Sequence, residues 1–402
     1  MLVLRPKDVR IGESFYPRAN LMKLHPSNTG IQHFPLSRCL LLLAVVLSAA
    51  SVCGWALPTD NRHANDDDKP LGKVPKLPVD SLPKDISATK IPGGFNEIPN
   101  APADNATTAE KVRLGRKLFF DPILSTDGTV SCASCHQPDH GFASPDPIAV
   151  GVGGKIGKRN APSVINRVFG KKFSWDGRDD SLEQQVLGPL KSESELGGNV
   201  ELVIDNIKNN PEYVEQFHVV FGGDSDLPVA QAVTVENLAK AIASFERTLT
   251  SGNSKVDRFR AAEYEALSKE ARQGLWIFES RGGCWKCHSS ANLSDEDFHN
   301  TGVGFGIADR DQGRFEATKK PTHQFQYKTP SLRDVEFTAP YMHDGSIKTL
   351  REVVEFYNRG GDPRDPSLDK KMAPLNLSNQ EIGFLVEFLK ALSGESVLNP
   401  SE

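Results

Sequence analysis

The sequence is poor in cysteine and has no block of cationic residues. Six cysteines occur among 402 residues, and four of them belong to two short motifs, so none is left for a disulfide framework. Lysine and arginine number 47 against 52 acidic residues, a net charge of −5, and they are dispersed along the chain. Nucleic acid is therefore not an expected partner. Strand-forming stretches are also few, which favours a mainly α fold.

Long apolar runs are missing except for one near the start, "CLLLLAVVLSAASV" at 39–52. It follows Arg38, is too short to span a bilayer comfortably, and precedes a small-residue cleavage site ending at Ala56. We expect residues 1–56 to be a signal peptide region and the mature protein to be periplasmic. Translation could start at Met1 or at Met22.

One cysteine motif occurs twice, which predicts two domains. CASCH begins at Cys132 and CWKCH begins 152 positions later at Cys284, about one domain length. We expect an N-terminal domain over 106–255 and a C-terminal domain over 256–396. Residues 57–105 are rich in Pro, Asp, Asn and Lys and are expected to form a linker or extended arm.

Helical periodicity recurs along both predicted domains. A first helix is expected from about Thr108 until the Asp121-Pro122 step stops it. Ser378 and Glu381 have the spacing of a capping box at the start of the last helix. Further helices are predicted in these stretches: "VELVIDNIKNN", the segment from Pro211 to Phe221, "TVENLAKAIASFERTLTSG" ending just before Gly252, "SKEARQGLWIFES" and "TLREVVEFYNRGG".

Each motif packs two thiols and an imidazole into five residues. A zinc site needs four ligands, and only three are supplied locally; a thioredoxin-like dithiol usually lies in a βαβ pattern, which is missing here. Covalent haem attachment uses every residue: Cys132 and Cys135, or Cys284 and Cys287, form thioethers. His136 and His288 are then the proximal iron ligands. The long loops between helices fit domains packed around a cofactor. A redox or metal-binding C-x-x-C stays as the alternative.

Several stretches around both motifs resemble the bacterial di-haem cytochrome c peroxidases and their MauG-type relatives. They are "LGRKLFFDPILSTDGTVSCASCH", "NAPSVINRVFGKKFSWDGR", "AIASFERTLTSGNSKVDRF", "TPSLRDVEFTAPYMHDGS" and "TLREVVEFYNRGG". The resemblance covers residues 108–393. It implies a mainly α fold of two c-type cytochrome domains, each built around one covalently bound haem.

The resemblance also implies roles for individual residues. Trp175 matches the tryptophan between the two haems, and Glu195 matches the acid–base glutamate over the N-terminal haem. Gln185 and Pro189 match residues that line the same pocket. A calcium ion between the domains is implied by three further matches: the side chain of Asn160 and the backbone carbonyls of Thr338 and Pro340.

Two departures from most peroxidases of this family bear on the irons. Those enzymes have a histidine ahead of "NAP" that caps the resting N-terminal haem, whereas Val152 stands at that position and no histidine lies between 141 and 217. At the C-terminal haem those enzymes have a methionine at the position of Tyr357. The MauG-type enzymes have a tyrosine there, as this chain does. We expect an open first iron and a second iron held by His288 and Tyr357. Met342 and Met372 stay as alternative ligands.

These features predict a periplasmic di-haem peroxidase. It would reduce hydrogen peroxide to water with electrons from a small cytochrome c or cupredoxin, passed from the C-terminal haem to the N-terminal haem. A MauG-type oxidase that modifies residues of a partner protein is the first alternative. A non-catalytic electron-transfer or haem sensor protein is the second, although an open iron and Glu195 would be superfluous there. The resemblance also allows for a homodimer.

Overall fold

The structure is mainly helical. It is a computed structural model that describes residues 91–99, 101–222 and 229–396; the predicted signal region 1–56 and most of the predicted arm lie outside these ranges. The α-helices of the described residues are α1 Ala109–Phe120, α2 Cys132–Cys135, α3 Leu182–Lys191, α4 Val200–Lys208, α5 Pro211–Phe221, α6 Val235–Glu246, α7 Lys255–Arg260, α8 Lys269–Glu279, α9 Arg314–Thr318, α10 Leu350–Asn358 and α11 Asn379–Lys390.

Local capping explains where the predicted helices begin and end. The Thr108 side chain accepts a hydrogen bond from the backbone N–H of Lys111 and starts α1. Ser378 and Glu381 form the expected capping box at the start of α11. Pro211 occupies the first turn of α5, where its missing N–H costs nothing. These three helix starts are confirmed.

Two local features differ from the prediction. Helix α3 carries Gly188 and Pro189 near its end, and these helix-breaking residues obscured it in the sequence. Helix α6 ends at Glu246 and does not run on to Gly252. The reason is long-range, because Ser251–Gly252 forms strand β1, which pairs antiparallel with β4, Glu395–Ser396. A second short antiparallel pair joins β2, Phe298–His299, to β3, Tyr327–Lys328.

Buried apolar side chains form two main clusters. The N-terminal core draws on residues between Val112 and Leu249, and the C-terminal core on residues between Val256 and Leu392. Helices α1 and α6 pack against each other in the N-terminal core, and α8 and α11 pack against each other in the C-terminal core. Gly115 and Gly274 allow these approaches, because a Cβ at either would collide with a backbone carbonyl of the partner helix.

The described end of the predicted arm packs on the rest of the protein. Asn105 is fully buried, and its side-chain amide donates hydrogen bonds to Glu183 and to the backbone carbonyl of Lys240. Phe95 stacks on Phe169 with ring centroids 4.0 Å apart. Ordered contacts therefore begin before α1. Within the part of the chain that the structure describes, no helix has both the length and the apolar character needed to cross a membrane.

Candidate haem sites

The first motif presents its histidine from a one-turn helix. Ser134, within α2, caps the turn by accepting the backbone N–H of Ser131 at 3.0 Å. The His136 Nδ1 lies 3.2 Å from the carbonyl oxygen of Phe142. If Nδ1 carries the proton, Nε2 is left as a free ligand atom, the usual arrangement of a metal-binding histidine. Burial lowers the pKa of His136, which favours the neutral ring that a metal requires.

The second motif repeats this arrangement with a tighter turn. Gly283 has a φ of 63°, and a 3₁₀ turn follows over Cys284–Lys286. The His288 Nδ1 lies 3.0 Å from the carbonyl oxygen of Leu293, and burial lowers the pKa of this histidine too. Both imidazoles are thus anchored by a backbone carbonyl that follows the motif.

The four cysteines do not resemble a reactive dithiol. All are free, and burial raises the pKa of Cys135 and of Cys284 to about 11. Reactive cysteines usually have a lowered pKa, so Cys135 and Cys284 are poorly suited to exchange chemistry. Thioether formation is compatible with buried, protonated thiols. This favours the haem interpretation over the redox one.

The zinc interpretation gains no support from the geometry. Among the described residues, the single cluster of potential metal-ligating side chains is Cys287, Asp295 and His299. The His299 ring is already held between two carboxylates, at 2.6 Å from Asp369 and 3.0 Å from Asp295. Nothing comparable adjoins the first motif in those ranges.

A cavity of about 310 Å³ lies beside the second motif and has a mostly apolar lining. His288, Cys284 and Cys287 contribute to its wall, and so does Tyr357 from α10. Burial raises the pKa of Tyr357, and the two cysteines act in the same direction, so the phenol lies within electrostatic range of the thiols. The donor set fits a haem held covalently beside an imidazole and a phenol.

The alternative sulphur ligands border the same cavity. Met342 and Met372 are among its lining residues, together with Tyr357. Lining the cavity therefore does not separate the three candidates.

Glu195 lies in the loop after α3, near the first motif. The N–H of Leu196 donates to the carbonyl of Pro189 at 3.3 Å, which ties this loop to the end of α3. Gln185 and Pro189 are four residues apart and share one face of the helix. Glu195 also adds to the raised pKa of Cys135, so its carboxylate lies within electrostatic range of the attachment site.

Val152 is joined directly to the Glu195 loop. Its backbone N–H donates to the Glu195 carbonyl at 3.0 Å, and its side chain packs on the N-terminal core. The structure thus brings Glu195 together with Val152, the residue expected at the position of the capping histidine. An aliphatic side chain offers no lone pair to iron.

Trp175 is fixed on three sides between the two cores. Its indole Nε1–H donates to the Asn160 carbonyl at 2.8 Å, and its own carbonyl accepts the backbone N–H of Lys328 at 2.8 Å. Its ring meets the His343 ring edge-on, with centroids 6.5 Å apart. The His343 ring in turn stacks on Tyr327 at 3.5 Å. Trp175 also borders the cavity beside the second motif.

The three residues of the implied calcium site all border that cavity. Asn160 is buried, and its side-chain N–H donates to the carbonyl of Asp146 at 3.0 Å, which leaves its amide oxygen available. Thr338 and Pro340 approach from the C-terminal half of the chain. All three could present the hard oxygen atoms that calcium prefers.

Sequence reasoning missed several buried ionisable side chains. Arg159 binds Asp176 and Asp311, Arg167 and Lys328 share Glu296, and Glu246 is buried in α6. Glu246 left a signal, since it directly follows the mostly apolar stretch "AIASF" on a helix. Lys328 left none, because a lysine in a polar loop is ordinarily solvated.

Known proteins of similar sequence and structure point to one group. A family model described as di-haem cytochrome c peroxidase matches residues 109–265. The chain is 37% identical over 317 residues to the methylamine utilization protein MauG of Methylorubrum extorquens, covering 79% of this chain and 88% of that protein. It is 32% identical over 339 residues to the cytochrome c551 peroxidase of Pseudomonas aeruginosa, covering 81% and 92%. A solved MauG-like protein associated with microbial copper homeostasis, 29% identical, has a TM-score of 0.69 and covers 80% of this chain and 97% of that one.

The helical fold and the paired C-x-x-C-H sites are those of a c-type cytochrome that carries two haems. Given identities above 30% over most of its length, the chain belongs to the di-haem cytochrome c peroxidase family. It is an oxidoreductase of that family, with one attachment motif at Cys132 and Cys135 and the other at Cys284 and Cys287. The expected family, fold class and enzyme class are confirmed.

Proposed function

We propose that the protein reduces hydrogen peroxide to water at the N-terminal site, with electrons entering at the C-terminal site. The observation that carries this proposal is the difference between the two sites. Tyr357 shares a cavity with His288, whereas the position expected to cap the first site is the aliphatic Val152. One site would thus keep a coordination position for substrate while the other is held on both sides.

The residues that would hold the haems are the two cysteine pairs, His136, His288 and Tyr357. The bound haems would supply one iron that accepts peroxide and a second that stores and passes on electrons. Glu195 would take a proton from one peroxide oxygen and deliver it to the other, so that water leaves. Gln185 and Pro189, on the adjoining face of α3, would shape the space in which peroxide lies.

Trp175 would connect the two sites. Its Nε1–H is held by the Asn160 carbonyl at 2.8 Å, so the indole plane is fixed. We propose that the indole carries electrons between the sites. We also propose that Asn160, Thr338 and Pro340 hold calcium, which would stiffen the same region.

Four further points belong to the proposal. We place the domain boundary at 255/256, a proposal supported by the change from one buried cluster to the other between Leu249 and Val256. The protein is exported to the periplasm by its N-terminal region. The donor is a small cytochrome c or cupredoxin, and the oligomer, if there is one, is a homodimer.

Electron paramagnetic resonance of the resting ferric protein tests the proposed difference. We expect one high-spin and one low-spin signal, and two low-spin signals would contradict an open first site. Stopped-flow mixing of the all-ferric protein with peroxide should then change the spectrum without prior reduction, because no histidine has to be displaced. A spectrum that stays constant until a donor is added would rule this out.

Glu195→Gln tests the proton transfer step. General acid–base catalysis contributes about 10²- to 10⁴-fold, so the peroxide reaction should slow by that factor. Glu193→Gln is the matched control, since Glu193 lies in the same loop with a largely exposed side chain. A Glu195→Gln rate within a few-fold of the control would remove Glu195 from the role.

A MauG-type oxidation of a partner protein is the second candidate. It is favoured by the resemblance, which places Tyr357 where the MauG-type enzymes have tyrosine, and by the 37% identity to a MauG protein. Because a phenolate ligand is anionic, it would stabilise the oxidised iron and make the second site easier to oxidise. Peroxide-dependent modification of a co-purifying protein, detected by mass spectrometry, would favour this candidate; rapid steady-state turnover with a reduced cytochrome would favour the first.

A further inference from the structure

A buried group of three charges lies between the two cores. The Lys328 Nζ lies 3.2 Å from Glu296 Oε1 and donates to the Thr329 carbonyl at 3.1 Å. Arg167 Nη1 approaches the same Glu296 oxygen at 3.5 Å. The side chains of Lys328 and Glu296 are each 7% exposed, and that of Arg167 is 13% exposed. Two buried cations therefore share one carboxylate.

This group borders the cavity beside the second motif. Arg167 and Lys328 both contribute to the cavity wall, on which Tyr357 and His288 also lie. The backbone of Lys328 is joined to the proposed electron path, because its N–H donates to the Trp175 carbonyl at 2.8 Å. A change of charge inside the cavity would thus interact strongly with Lys328, because no solvent water screens this buried lysine.

Lys328 is the member of the group that can give up its proton. A guanidinium stays protonated in proteins, so Arg167 keeps its charge. Arg167 and Lys328 together lower the pKa of Glu296 against the effect of burial, so that carboxylate stays ionised. Burial and the repulsion by Arg167 lower the pKa of Lys328 to about 7, although Glu296 and Asp295 oppose them. The facing charged groups are therefore Arg167, Glu296 and Asp295.

We propose that Lys328 takes up a proton from solvent when an electron enters the cavity, and so couples electron arrival to proton uptake. This inference rests on the proposed function, in which the second site receives the electrons. In the uptake step the neutral amine of Lys328 becomes an ammonium ion, while the external donor loses the electron. Reduction of one hydrogen peroxide to two water molecules consumes two electrons and two protons. An electron stored with a proton nearby leaves the charge of the region unchanged.

The test is the reduction potential of the second haem as a function of pH, measured by spectroelectrochemical titration of the holoprotein. The oxidised protein would lose the Lys328 proton above about pH 7, and the reduced protein only at higher pH. Between these two values the potential should fall as pH rises, because reduction then binds a proton. Since one pH unit is a tenfold change in proton concentration, the slope should approach about 59 mV per pH unit. Below about pH 6 it should be flat.

Two variants separate the proton from the charge. Lys328→Met is neutral at every pH, so the slope should disappear and the potential at pH 6 should be lower than in the wild type. Lys328→Arg stays charged at every pH, so the slope should also disappear, but the potential at pH 9 should be higher than in the wild type. Lys348→Met, which removes an exposed lysine at the start of α10, should keep the wild-type slope.

A wild-type potential independent of pH between 6 and 9 would overturn the inference, and so would a slope that persists in both Lys328 variants. If Lys328→Met fails to assemble, Lys328→Arg keeps the test valid because it retains the buried charge pair. The titration involves no peroxide. A protein that proved not to reduce peroxide would thus refute the proposed function without altering this result.

Discussion

Glu246 gives a prediction whose size follows from its surroundings. It lies at the end of α6 with a residue exposure of 4%, and among the described residues its Oε2 has no hydrogen-bond partner. Burial raises the pKa of Glu246 to about 8; Arg247 and Arg167 oppose this rise and Glu183 adds to it. The carboxyl group is therefore largely protonated in the folded protein at neutral pH, whereas it is ionised once the chain unfolds.

The sign and size of the effect follow from linkage between protonation and folding. The pKa of Glu246 in the folded state exceeds its ordinary value of 4.5. Its contribution to stability is thus fully present below pH 4.5 and is lost as pH rises towards 8. At 1.36 kcal/mol per pH unit, the difference between these values corresponds to about 5 kcal/mol as an upper limit. That is a large part of the total stability of a typical domain.

Glu246→Gln should remove this loss, because an amide does not ionise. Urea denaturation at pH 5, 7 and 9 would give the free energy of unfolding of both proteins. From pH 5 to pH 9, the free energy of unfolding of the variant minus that of the wild type should rise by roughly 3–5 kcal/mol. Glu215→Gln, at an exposed position of α5, serves as the control and should run parallel to the wild type. If the free energy of unfolding of Glu246→Gln followed that of the wild type within about 1 kcal/mol at all three pH values, Glu246 would not be a buried neutral carboxyl group.

Two further substitutions probe the junction between the cores. Arg159 is 9% exposed at its side chain and hydrogen-bonds Asp176 at 2.7 Å and Asp311 at 2.6 and 2.8 Å. Arg159→Met should lower the free energy of unfolding in urea by about 3–5 kcal/mol, because Asp311 loses its buried cation and Asp176 keeps only the exposed Arg178. A loss below about 1 kcal/mol would mean that these charges are solvated. Trp175→Phe removes the hydrogen bond to the Asn160 carbonyl, worth about 1 kcal/mol, and should slow electron transfer between the haems in stopped-flow measurements while both stay attached. An unchanged transfer rate would exclude the indole as the path.

Features that depend on residues close together in the sequence could be predicted from the sequence. The start of α1 at Thr108 and of α11 at Ser378 required only a side chain that reaches the next turn. The attachment motifs are equally local, since five consecutive residues carry both thiols and the imidazole. The end of α6 was misread because its extension is replaced by pairing of Ser251 with Ser396, far along the chain.

The residues of the candidate site could be predicted from the sequence only in part. Tyr357 was selected by resemblance, but its position on one cavity wall with His288 depends on how α10 packs. The carbonyl partners Phe142 and Leu293 lie just beyond the motifs, yet no pattern marks them. Binding of the second iron by Tyr357, with Met342 and Met372 as alternatives, stays a prediction.

By itself, the sequence determined where each haem would be attached, which family the chain resembles and where most helices begin, because these depend on contacts within a few residues. Only the tertiary structure decided which charges are withdrawn from water. Lys328, Glu296 and Arg167 come from three distant segments, and Glu246 is enclosed by packing around α6. A charged side chain is costly or harmless according to the solvent and partners that surround it, and those are set by the folded chain as a whole.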